Sequence, residues 1–176
     1  SGGFIMGTAL FEESTFLEAR VGPGTVGSVD TSLMPFTYSG EGDLSGINLH
    51  GFGTGLDVGW LQEPRYAGTV AGHFHVSGAG SDVATMALMG GGRLTRADLF
   101  GGQLTDADVT IDIQNGSLSG SYDGRLSDVN PALALDDQRY DASLTGSGTG
   151  TISVRDLLVR SPQLADYHIT TQMMLE

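Results

Sequence analysis

The chain has 176 residues, enough for one domain or a few repeat modules with a core of their own. Its 28 glycines are about twice average usage and are spread along the chain, mostly singly, unlike a linker or a collagen. A net charge of −13 argues against nucleic acid and against electrostatic docking on anionic headgroups, and the absence of cysteine excludes disulfides, thiolate metal sites and thiol catalysis. No run approaches the roughly 18 apolar residues of a membrane span, and no basic, then apolar, leader opens the chain.

Before residue 60 alternation is blurred, and residues 4–11, 16–21 and 43–50 read as strands. Gly22-Pro23-Gly24-Thr25-Val26-Gly27 has the letters of a dinucleotide loop. Pro23 sits inside it and no helix pattern follows, so it reads as a turn. Residues 58–63 predict a helical turn. Residues 69–77 then alternate, with Val70, Gly72, Phe74 and Val76 on one face and His73 and His75 on the other. Two imidazoles on one strand face are a metal-ligand geometry, but His50 and His168 have no spacing that brings them near, so a solvated face is expected and no metal.

Residues 84–89, 93–99 and 103–105 read as short strands separated by glycine turns at Gly90-Gly91-Gly92 and Gly101-Gly102. Residues 107–114 alternate strictly, and Asn115-Gly116 is a strong hairpin signal because a type I′ turn needs positive φ at both central residues. The return strand places Leu118, Gly120, Tyr122, Gly124 and Leu126 on a dry face. Residues 131–135 predict a short helix with Asn130 as N-cap and Pro131 at its first position. Residues 142–154 place Leu144, Ile152 and Val154 together, and 168–175 close the chain as a strand.

An internal echo spans this pattern. Arg65-Tyr66-Ala67-Gly68-Thr69-Val70-Ala71-Gly72 returns as Arg139-Tyr140-Asp141-Ala142-Ser143-Leu144-Thr145-Gly146. That interval predicts a repeated multi-strand unit in an elongated body, with modules at 1–60, 61–134 and 135–176. The acidic turns at 40–43 and 78–82 lack the full calcium nonapeptide, and the Ala97 and Ala107 contexts give too few hits for a pentapeptide solenoid. There is no nucleophile elbow, and the carboxylates are strewn too evenly to nominate an acid/base pair. No catalytic residue, enzyme activity or cofactor is expected.

Residues 66–78, then Gly92-Arg93-Leu94, Leu99-Phe100-Gly101-Gly102-Gln103-Leu104, Asn115-Gly116-Ser117-Leu118-Ser119-Gly120 and Asp128-Val129-Asn130-Pro131-Ala132 share a texture of strand, glycine turn, strand and loop. In this the chain resembles the AsmA-like superfamily, including the TamB-like inner-membrane subunits of the translocation and assembly module. The resemblance covers a little over half the chain, from about residue 60 to 159, and rests on loop order without one diagnostic motif. It implies an all-β fold, an antiparallel sheet curled into a long groove, polar outside and apolar inside. It implies a periplasmic setting, a parent anchored in the inner membrane, phospholipid acyl chains as ligand, and contact with an outer-membrane barrel through the parent. The chain shows neither that anchor nor a barrel-contacting domain, so it reads as a middle segment of a longer protein.

The expected groove lining is Phe74, Val76, Val109, Ile111, Ile113, Leu118, Tyr122, Leu126, Leu144, Ile152 and Val154, with the glycines between them as floor space. The competing use of such glycines is close packing within a closed core. The alternative function is a non-enzymatic structural or adhesive solenoid or sandwich that binds a protein or calcium. A glycan-active β-helical enzyme is a more remote third. An open apolar groove also predicts that the isolated segment pairs with a second copy.

Overall fold

The computed structural model describes residues 4–16, 19–55, 62–80, 85–155 and 166–175. Its strands are β1 Met6–Leu10, β2 Ser14–Phe16, β3 Ala19–Val21, β4 Val26–Asp30, β5 Thr37–Asn48, β6 Thr69–Ala79, β7 Ala87–Leu99, β8 Gly102–Gln114, β9 Ser117–Val129, β10 Leu144–Val154 and β11 Tyr167–Leu175. Two short helices, α1 Leu49–Gly55 and α2 Pro131–Leu135, and two 3-10 turns, Pro64–Tyr66 and Gln138–Tyr140, interrupt them. All eleven strands join one sheet in the order β1-β4-β5-β6-β7-β8-β9-β10-β11, with β3 on β5 and β2 on β3. Every pair is antiparallel. The fold is therefore all-β and single-layered, without the parallel stacked coils of a solenoid or the second sheet of a sandwich among the described residues.

The hairpin at Asn115-Gly116 forms as its sequence requires, with φ of 50° and 73° at the two residues. The Gly101-Gly102 turn sits one residue earlier than the glycines suggest: Phe100 and Gly101 take positive φ, 51° and 76°, and Gly102 already belongs to β8. The Gly90-Gly91-Gly92 turn does not exist. These glycines lie mid-strand in β7, facing Val76, His75 and Phe74 of β6. A Cβ at Gly92 would collide with the His73 carbonyl oxygen, so these glycines serve close strand approach rather than reversal. Residues 103–105 likewise continue into 107–114 as one strand, kinked by a bulge at Asp106, where φ is 48°.

Strand β4 and the first half of β5 have no counterpart in the sequence reading. The strand expected at 43–50 ends at Asn48, whose side-chain oxygen accepts from the His50 and Gly51 N–H groups and starts α1. The helical turn expected at 58–63 falls mostly outside the described residues. Helix α2 forms where expected, with the Asn130 oxygen accepting from the Ala132 N–H and Asp136 closing it in the left-handed region.

Both copies of the echo fold alike. Each Arg-Tyr pair ends a 3-10 turn that leads into a strand. Arg65 pairs with Glu63 at 2.6 Å and Arg139 with Asp137 at 2.5 Å, and each guanidinium sits over the next tyrosine ring, at 5.1 and 5.9 Å. Each follows a helix started by an Asn, so β5 and β6, and again β9 and β10, are hairpins joined by a helical arm.

Candidate functional site: the apolar face of the curled sheet

Register carries the apolar residues into continuous rows across the strands. One row runs Leu88, Ile113, Leu118, Val154 and Tyr167 over β7 to β11. The next runs Val76, Gly90, Ile111, Gly120, Ile152 and Ile169. A third runs Phe74, Gly92, Val109, Tyr122 and Gly150, and beyond it stand Val70, Ala97, Leu104 and Leu126. Every one of the expected lining residues occupies this face by register or strand parity. Leu126 stands opposite Gly146, and Leu144 lies past a register shift, opposite Val129.

Large side chains in these rows rest on the glycines of the next strand. A Cβ at Gly150 would strike the Tyr122 ring, one at Gly78 would come 2.6 Å from the Tyr38 ring, and one at Gly92 3.0 Å from Phe74. At Gly120 the nearest side-chain atom is Ile152 Cγ2, at 3.5 Å. Of the two hairpin glycines expected to form open floor space, Gly124 is covered by Ala107 and Gly120 has only ordinary contact with Ile152, so the face is more a pavement than a row of pits. This covering of strand glycines by rings also stabilises the pairs.

The pavement is only half withdrawn from water. Val154 is buried, Ile111 is 38 % exposed, and the other expected lining residues are intermediate. The buried apolar cluster consists of Leu94, Ala97 and Ala107, and no large side chain among the described residues is fully buried. A closed core of this length would bury several.

The sheet nevertheless curls over this face. Tyr66 precedes β6 and Tyr167 opens β11, with four strands between them in the sheet. In a flat sheet those strands would lie about 24 Å apart, beyond the reach of two tyrosines. Their hydroxyls meet at 3.0 Å. Register shifts between β5 and β6, β6 and β7, β8 and β9, and β9 and β10 supply the bend, because a bulge raises local twist and kinks the strand. The 3-10 turn Pro64–Tyr66 thus spans from one limb of the curl to the other. Tyr66 packs edge-on against Phe100 at 6.3 Å, and burial, then the Tyr167 hydroxyl, pushes its phenol well above the usual tyrosine range.

The opposite face is charged. Asp43, His73, Arg93, Asp108 and Asp123 follow one another across β5 to β9. His73 lies 2.9 Å from Asp43 and 3.6 Å from Glu41, and Arg93 pairs with Asp108 at 3.1 Å. The Asp43 hydrogen bond raises the His73 pKa above the ordinary histidine value, with Glu41 adding to it. His75 shares this face, as the strand period requires, and lies against Gly91. Among the described residues no three His, Asp or Glu side chains group as metal ligands. A cavity of about 660 Å³ sits at the Phe100 end of the sheet, lined by Gly68, Gly101, Asp98, Gln103 and Asp128, and its polar walls set it apart from the apolar rows.

Sequence reasoning missed Leu88, Leu94, Ala97 and Leu104, which share the apolar face. The signal was present: Leu88, Gly90, Gly92 and Leu94 keep period two straight through the glycine run. Tyr66 and Tyr167 were missed as partners because no local pattern reports a contact 101 residues apart.

The chain matches no family model, and neither a curated protein nor a solved structure matches it. Among the described residues no helix is long and apolar enough to cross a membrane.

Proposed function

We propose that the chain is a segment of an AsmA-like, TamB-like periplasmic protein, whose apolar concave face shelters or conducts phospholipid acyl chains between envelope membranes and supports outer-membrane biogenesis. The observation that carries this reading is the half-exposed apolar pavement inside a curled, single-layered sheet. Such a surface gains free energy by covering itself with a flexible apolar ligand, at about 0.8 kcal/mol per buried CH₂. It needs no polar contact within the groove, and the rows are apolar apart from the Tyr122 and Tyr167 hydroxyls. The 13-residue strands β7 to β9 are each about 43 Å long, room for an acyl chain along the groove. Charge on the outer face keeps such a groove dispersed in water. The role is carriage, without a reaction or a catalytic residue.

The test replaces Ile111 or Leu118 with Asp and measures phospholipid that co-purifies with the folded protein. Either carboxylate would stand in an apolar row, beside Gly120 and Ile152 or beside Ile113 and Val154. Loss of lipid with strand content retained is the expected result. Equal lipid in parent and variants would remove the groove reading and turn attention to protein partners on the acidic face.

A further inference from the structure

The turn Pro64–Tyr66 is folded by its own bonds. The Tyr66 N–H donates to the Glu63 carbonyl and the Ala67 N–H to the Pro64 carbonyl, both at 3.0 Å, and the Arg65 guanidinium holds Glu63 and covers the Tyr66 ring. The turn can therefore move as a unit without losing them. Across the groove its Tyr66 meets Tyr167, hydroxyl to hydroxyl. Tyr167 shares a row with Val154, Leu118 and Ile113, beside the Asn115-Gly116 turn, whereas Tyr66 packs on Phe100 at the other end of the strands. The contact thus crosses the groove obliquely, from one strand end to the opposite one.

Arg65 sets this turn apart from its echo. In the second copy Arg139 grips Asp137 through both Nε and Nη2, and its side chain is 77 % exposed. The Arg65 side chain is 16 % exposed and reaches Glu63 through Nη2, and its Nε is buried with no hydrogen-bond partner among the described residues. A buried donor left unpaired costs free energy, and water reaching it as the turn lifts would remove that cost. The closed position therefore carries a penalty of its own, which favours opening.

We infer that the Pro64–Tyr66 turn is a gate on the groove, which opens at the Tyr66–Tyr167 contact to let a phospholipid pass. This rests on the groove reading above. A phospholipid whose chains lie on the apolar face keeps its headgroup in water, so the headgroup travels in the gap between the limbs of the curl. Where the two hydroxyls meet, that gap is shut. Drawing the headgroup beneath them would set a charged phosphate among Leu118, Val154 and Ile152, in rows that hold no cation to receive it. The gate therefore opens for each lipid and closes behind it, a movement of a short arm rather than of the sheet.

The experiment pairs Tyr66→Cys with Tyr167→Cys in a chain that has no other cysteine. A bismaleimide with a reducible disulfide in its spacer then locks the gate shut. Uptake of a fluorescent phosphatidylcholine from phosphatidylcholine vesicles is followed with time. The parent is expected to load, the cross-linked protein to load roughly tenfold more slowly or less, and reduction of the spacer to restore the rate. A second variant covers poor folding of the first. Tyr66→Phe keeps the ring and loses the hydroxyl bond, and is expected to load about fivefold faster than the parent, the factor for one hydrogen bond. A cross-linked protein that loads as fast as its reduced form, or a Tyr66→Phe protein no faster than the parent, would overturn the gate and leave the groove standing. A parent that takes up no lipid in any state would remove both.

Discussion

A glycine in this sheet is most often a place where something else lies. Gly124 leaves room for Ala107, which is fully buried, and Gly92 leaves room for the His73 carbonyl and the Phe74 ring. Gly92→Ala is expected to destabilise the chain by about 1–3 kcal/mol, the range for overpacking a tight site, measurable by urea unfolding. An unchanged midpoint would mean that the strands can part at no cost. Charge at the same scale predicts a titration. Because Asp43 holds the His73 pKa above its ordinary value, the pair stabilises the fold below about pH 6.5, and that contribution is lost as pH rises through the raised value. His73 is exposed, Glu41 faces it as well, and Arg93 lies across from it already paired with Asp108, so the contribution is small. NMR titration is expected to show the His73 midpoint falling towards the ordinary value in Asp43→Asn. No movement would place the cause elsewhere.

Among elements, the helical arms are the ones that shape the groove. The arm after β5 reaches the far limb of the curl through the Tyr66 and Tyr167 hydroxyls, while the arm after β9 packs beside the Phe100 turn, whose carbonyl accepts from the Asn130 N–H at 3.0 Å. Tyr66→Phe removes one partly buried hydrogen bond and is expected to cost about 1 kcal/mol. Its more telling effect is faster amide exchange confined to residues 62–68 and the start of β11, with the middle strands unchanged. Uniform acceleration would mean that the contact supports the whole sheet rather than the closure. Strands β8 and β9 were legible in the sequence because strict alternation meets a turn that only Asn-Gly satisfies. Strand β7 was legible only as two separate pieces, because three consecutive glycines carry no side chain by which period two can be followed between them. The first third was blurred for a related reason: β5 pairs with β4 along its first half and β3 along its second, so its neighbours change along its length.

At the scale of the molecule, the apolar residues expected to line a groove fall on one face because period two holds along each strand and the register shifts lie towards one end of the sheet. The curl was not readable in the same way. It depends on several small register shifts acting together and on a tyrosine contact between distant parts of the chain. The outcome is a sheet with an exposed charged side and a half-covered apolar side, an arrangement that a protein keeps only if something else covers the apolar face. Native mass spectrometry of the purified chain, with lipid extraction from the same sample, tests this most directly. The account predicts phospholipid bound to the folded protein and released by detergent. A clean, lipid-free mass from a folded sample would contradict it.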